Sequence, residues 1–363
     1  MTRTPCPPGF RRFAKLLPFL VVVATHHPAA AAETGYTAMT TAIADKVIVP
    51  AFRGMADAMA ALESAMTAHC ATPTTASFGA AKAAFHKAMS AWQRGQPFAF
   101  GPLLTDSRAT RIEFWPDRRG TGQRQARSAL AAEDPTLLRP GGLDGKSVAL
   151  QSLVTFEQLL YDSTVTPYAC AYAAAIARFQ KGIATAIVAD WTGPDGYREI
   201  MRTAKDGNAH YRDAKEAATD LLKSVAGSLD AIIEQKLERP LGASLADAYP
   251  ERAESWRSAR SLDNIVANLE TLTAMFAVPD GLGDQLARAG AGALGAGMAK
   301  SFESATALAK SLRMPLSQAV ADETERGQVE ALLDALRDLR ILVRHAVADE
   351  LGIVIGFNSL DGD

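Results

Sequence analysis

From Tyr36 to His69 the apolar residues Met39, Ile43 and Val47, and then Met55, Met59, Leu62 and Met66, recur at three- and four-residue steps. This period constrains the chain more than any other feature, because such a stripe is one face of a long helix that must bury itself against partners. Pro50 falls inside the stripe and predicts a kink or a split, since proline lacks an N–H and crowds the preceding turn. The same period predicts helices near 77–94, 146–162, 168–190, 208–237, 254–277, 283–312 and 316–351. Ala289-Gly290-Ala291-Gly292-Ala293 lies inside one of them and reads as a site of close helix packing. Alternating strand patterns are nearly absent, so the chain reads as all-α.

At 363 residues the chain is long for one domain. The turn Gly193-Pro194-Asp195-Gly196 marks the expected boundary, giving helical bundles over 33–194 and 195–363. The expectation is two four-helix-bundle-like domains joined in one elongated unit. Residues 95–145 interrupt the first with five prolines and seven glycines, together with Arg108, Arg111, Arg118, Arg119, Arg124 and Arg127. Such a stretch is too long for a simple helix–helix loop and predicts a crossover with short helices of its own.

Residues 1–32 have the layout of a secretory signal peptide. Arg3, Arg11, Arg12 and Lys15 precede the apolar run Leu16 to Ala24, and small residues Ala29 to Ala32 follow. The run is far shorter than the roughly 20 residues of a spanning helix, so no membrane span is expected after cleavage. Removing those 32 residues takes away four basic side chains and no acidic one. That turns a net charge of −2 into −6 on a mature chain of 331 residues. An acidic balance offers no footprint for nucleic acid. Export also leaves only Cys70 and Cys170. They are either a disulfide between helix ends or two buried thiols, and an oxidising compartment permits the former.

Four segments carry a resemblance. Ser147-Val148-Ala149-Leu150-Gln151-Ser152-Leu153-Val154-Thr155-Phe156-Glu157-Gln158-Leu159-Leu160-Tyr161 resembles the Gly-x-His-x-x-Glu region of imelysin-like proteins, the peptidase M75 family. Phe114-Trp115-Pro116-Asp117-Arg118-Arg119-Gly120, with Gln123-Arg124-Gln125, is similar to one branch of that family. Trp256-Arg257-Ser258-Ala259-Arg260-Ser261-Leu262 with Asn268-Leu269-Glu270, and the ending from Leu351-Gly352 to Gly356-Phe357-Asn358-Ser359-Leu360-Asp361-Gly362-Asp363, resemble its second half. The resemblance implies two helical bundles with a site between them and a periplasmic role linked to iron or other metal uptake.

The signature is incomplete. Ser152 stands at its glycine position and Val154 at its histidine position, leaving Glu157. A zinc peptidase needs about three protein ligands and a water, and valine ligates nothing. The leading expectation is therefore a non-catalytic periplasmic binding protein for a metal ion, such as iron, or an anionic metal chelate. Glu157, set among Leu153, Val154, Leu160 and Tyr161, is either the ligand's anchor or the structural partner of an arginine of the 108–127 crossover. Arg257, Ser261, Asn264 and Asn268 fall within roughly 60° on a helical wheel. They form either a solvated flank or the second wall of the site facing Glu157. Arg111, Trp115, Asp117 and Arg124 are candidates to close one end, arginine forks suiting carboxylate or phosphate oxygens.

Two alternatives belong to other classes. A metallopeptidase would draw ligands from elsewhere, for example His345 and Asp349 at i, i+4 spacing, though a surface ion pair uses the same spacing. An interaction module would dock the arginine-rich crossover on an envelope uptake partner. Asp361 and Asp363 at the terminus read as a cation site or a frayed acidic tail. The chain carries no nucleophile-elbow, P-loop, dinucleotide-binding or Cys-x-x-Cys motif.

Overall fold

The computed structural model describes residues 28–162 and 166–356. The expected leader lies outside them through residue 27, as do Asp361 and Asp363; the expected cleavage point after Ala32 falls within the first helix, Pro28–Ile43. The described residues form helices and turns and no strand, so the fold is all-α.

The periodic stripe at 36–69 becomes one long rod. Pro28–Ile43 runs through a π turn, Ala44–Ile48, into Val49–Ala71. Pro50 does not split it: the proline sits in the first turn of the third part, where a missing N–H costs least. Met39, Ile43, Met55, Met59 and Leu62 are fully buried. The start of the rod packs on Ala214–Asp230, and the Tyr36 hydroxyl donates to the Leu351 carbonyl. Its end packs between Thr75–Gly95 and Pro167–Thr192. Ser261–Ala277 packs on Gly292–Ser311, which in turn meets Arg326–Leu342. Contact between Thr75–Gly95 and Ser261–Ala277 joins the two groups of helices.

Side-chain caps set several starts. Thr74 and Ser77 form a reciprocal capping box, Thr166 accepts from Ala169 N, and Asp213 accepts from Glu216 N. The last explains why the helix expected from 208 begins only at Ala214. The stretch expected as 146–162 breaks at Ser152, an extended residue whose hydroxyl caps Leu153–Tyr161. The helix expected over 254–277 begins at Ser261, because Ser255 and Ala259 adopt left-handed φ values of 50° and 57°. The 283–312 stretch breaks into Leu282–Arg288 and Gly292–Ser311, with Gly290 at φ 93° making the turn. Close packing occurs instead across that turn, where a Cβ on Gly295 would meet the Gly283 carbonyl at 2.8 Å.

The 95–145 crossover holds short helices, the longest being Thr121–Ala132. Cys70, in the last turn of Val49–Ala71, and Cys170, in the first turn of Pro167–Thr192, form a disulfide with Cα atoms 5.6 Å apart. No helix of the described residues is long and apolar enough to cross a membrane.

Candidate functional site

The break at Ser152 decides where Glu157 points. The capped helix Leu153–Tyr161 is apolar on most sides, and Glu157 sits on it with 2% exposure. A carboxylate so placed must be hydrogen-bonded or protonated. Its partner comes from far along the chain: Ser258 donates its backbone N–H at 2.8 Å and its hydroxyl at 2.5 Å to Glu157 Oε1. Burial raises the Glu157 pKa above the usual carboxylate range, and the two Ser258 bonds and the Arg257 charge only partly oppose it. No arginine of the 108–127 crossover pairs with it. Oε2 receives no hydrogen bond from any described residue.

Glu157 lines a cleft of about 170 Å³, together with Val154, Trp115, Asp117, Trp256 and Arg257. Residues from both halves of the sequence form its walls. Arg239 and Arg252 stand on it as well, and sequence reasoning did not single them out. Asp117 is already committed, since its two oxygens accept from Thr121 N at 2.8 Å and Gly122 N at 2.7 Å at the start of the Thr121–Ala132 helix. Arg257 pairs with Asp162 and lies over the Trp256 ring at 4.5 Å.

The remaining expected residues lie elsewhere. Arg111 stacks 5.6 Å from the Phe179 ring and lines a separate groove of about 370 Å³. Arg124 folds back on the Arg119 carbonyl. His345 and Asp349 are both exposed, and a π turn at Val343–Val347 disturbs their helical spacing. Among the described residues no three His, Cys, Asp or Glu side chains gather as metal ligands.

Ser261, Asn264 and Asn268 are fully or almost fully buried, and they belong to a second polar centre. Asn264 Nδ2 donates to Glu254 Oε2 at 2.8 Å, and the Ser261 hydroxyl donates to the Glu254 carbonyl. Asn268 Nδ2 donates to the Gln93 carbonyl at 2.7 Å. Lys236, 2% exposed, donates to Gln93 Oε1 at 2.6 Å, Asn268 Oδ1 at 2.8 Å and Gln96 Oε1 at 2.9 Å. Its Nζ also lies 3.0 Å from Glu254 Oε1, close enough for an ion pair but not aligned for a hydrogen bond.

Glu113 completes this centre. Its Oε2 accepts from Trp92 Nε1 at 2.5 Å, Gln96 Nε2 at 3.1 Å and Gln93 Nε2 at 3.2 Å, while Oε1 meets no donor. Burial first, and the neighbouring Glu254 charge second, push the Glu113 pKa up to about 8. Glu113 is therefore biased toward its protonated form at neutral pH, beside the Lys236–Glu254 pair. Gln93, Gln96 and Glu113 come from the first half, and Lys236, Glu254, Asn264 and Asn268 from the second. The centre is a polar joint between the halves, in which Glu113 Oε1, Glu254 Oε1 and Asn264 Oδ1 receive no hydrogen bond.

The fold and its cleft define an all-α protein with a polar, partly enclosed cleft whose walls come from distant parts of the chain. The chain belongs to the imelysin family: the family model for Imelysin (Peptidase M75) matches residues 48–343. It is 24% identical over 229 residues to iron-regulated protein A of Synechococcus elongatus, a match covering 62% of this chain and 59% of that protein. An imelysin-like protein from Psychrobacter arcticum shares the fold with a TM-score of 0.77 at 21% identity, covering 93% of this chain and all of that one. A putative iron-regulated protein A precursor from Parabacteroides distasonis aligns with a TM-score of 0.75 at 15% identity, covering 88% and 95% of the two chains.

Proposed function

We propose that this protein is an exported, non-catalytic member of the imelysin family that serves iron or other metal uptake by holding a ligand in the cleft beside Glu157. The observation that carries the reading is the pairing of Val154 and Glu157 on one cleft wall. The cleft keeps a buried carboxylate, while a hydrocarbon side chain stands where the family signature places histidine. That combination suits holding a ligand better than activating a metal-bound water. The iron association rests on the name carried by the Synechococcus relative.

Periplasmic residence is part of the proposal. The three-part leader pattern supports it, and the Cys70–Cys170 bridge fits an oxidising compartment.

Equilibrium dialysis tests the reading. The mature protein is dialysed against ferrous and ferric iron, each with and without a small carboxylate chelator. Retention of about one iron per chain in at least one form is expected, and Val154→Trp, which fills the cleft without changing charge, loses it. Retention by neither protein in any form overturns the proposal, as does chelator-sensitive peptidase activity of the wild type.

A further inference from the structure

We propose that the cleft recognises an oxyanion ligand of the hydroxycarboxylate class, its carboxylates held by Arg239 and Arg252 and its hydroxyl donated to Glu157. The inference deepens the reading above and rests on the cleft being the binding site.

Arg239 and Arg252 both line the cleft, and neither forms an ion pair with any carboxylate among the described residues. Arg239 Nη1 reaches only Gln235 Oε1, at 3.2 Å. Arg252 lies over the Tyr249 ring at 3.8 Å, which fixes the guanidinium plane and leaves its edge donors free. Partial burial first, and then the charges of Arg118 and Arg252, lower the Arg239 pKa. Like charges gathered in this way gain most from a shared anion.

The opposing charges around the cleft are largely committed elsewhere. Asp117 caps a helix, and Arg257 is balanced by Asp162. Glu251 lies at the exposed rim. Glu157 lines the same cleft and spends only Oε1 on Ser258, so Oε2 is an acceptor that no described residue bonds. A ligand hydroxyl can donate to that free oxygen.

A bare cation fits poorly. Unpaired guanidinium groups would oppose its entry, and Glu157 is the lone uncommitted carboxylate in the cleft's buried part. A ligand with anionic oxygens at one end and a hydroxyl at the other meets both demands. Trp115 and Trp256 supply flat walls for its carbon frame. A metal ion can enter the same cleft already wrapped in such a ligand.

Isothermal titration with defined probes tests the idea on the mature protein, on Arg239→Gln/Arg252→Gln and on Glu157→Ala, each first shown to keep the wild-type circular dichroism spectrum. The probes are citrate, tricarballylate (which lacks the hydroxyl), ferric citrate, and ferrous and zinc ions alone. Citrate is expected to bind the wild type about tenfold or more tightly than tricarballylate, because a site built around a hydroxyl rejects the analogue without one. The arginine double variant should weaken citrate about tenfold or more, and salt should weaken it further. Glu157→Ala should erase the preference over tricarballylate. Citrate binding unchanged by the arginine substitutions overturns the inference, as does equal affinity for the two acids. Binding of bare ions but not of either citrate form overturns it while leaving metal binding intact. Silence with every probe removes both.

Discussion

Ser258 gives both of its donors, the backbone N–H and the hydroxyl, to a single oxygen of Glu157. One residue of the second half thus fastens the signature carboxylate of the first and leaves its other oxygen toward the cleft. The segment that delivers Ser258 is strained: Ser255 and Ala259, on either side, both hold left-handed φ values that cost non-glycine residues roughly 1–2 kcal/mol each. The same segment carries Glu254 to Lys236. A short stretch of backbone therefore sets the cleft floor and the buried joint together.

Loss of the hydroxyl should be felt in stability. Ser258→Ala is expected to cost about 1–3 kcal/mol in urea unfolding, as a buried carboxyl group loses one of two donors. Glu157→Gln in the Ser258→Ala background should cost less than it does alone. Independent, additive losses would show that the two residues are not coupled.

The Lys236–Glu254 pair is more demanding. Both side chains are buried, so Lys236→Met leaves an uncompensated carboxylate and should cost roughly 3–5 kcal/mol. Adding Glu254→Gln should recover part of that loss, because the stranded charge disappears. A double variant less stable than Lys236→Met alone would contradict the charge assignment.

Glu113 makes stability fall as pH rises from the acidic range to about 8. Its pKa is raised to about 8 in the fold, so from the unperturbed range near 4.5 up to about 8 the folded state binds more protons than the unfolded state. Stability from this group is fully present below that window and is lost as pH rises through it. Thermal melts between pH 5 and 8 should show wild-type Tm falling more steeply than that of Glu113→Gln, which mimics the protonated carboxyl. Parallel slopes would place the proton elsewhere.

The disulfide closes a loop spanning a sequence separation of 100, tying the end of the rod to the start of Pro167–Thr192, which packs against it. Replacing both cysteines by serine should cost about 2–5 kcal/mol and should leave the helical circular dichroism signal at low temperature. An unchanged melting curve under reducing conditions would count against the bridge.

The helices were legible because burial along the rod follows the three- and four-residue step closely. Glu157 was legible because it stands alone among apolar neighbours. Lys236 left a signal that was missed: it sits in phase with Ile232, Ile233 and Leu237 on the buried face. A lysine at an apolar-phase position requires a buried partner. Gln93, following Met89 and Trp92, left the same kind of signal. Glu254 and Ser258 left none, since they lie in a non-periodic turn whose path is set by two left-handed residues. Helical periodicity groups Arg257 with Ser261, Asn264 and Asn268, but the helix starts at Ser261, so the turn aims Arg257 at Asp162 instead. Arg239 and Arg252 are ordinary exposed-type residues in sequence, and only the fold brings them to one cleft.

The central claim, that the cleft beside Glu157 is where iron is held, is tested most directly by anomalous diffraction at the iron absorption edge from crystals grown with ferric citrate. One strong peak is expected inside the cleft bounded by Val154, Glu157, Trp115 and Trp256. A peak at His345 and Asp349 or at another surface, or no peak at saturating ligand, would contradict it.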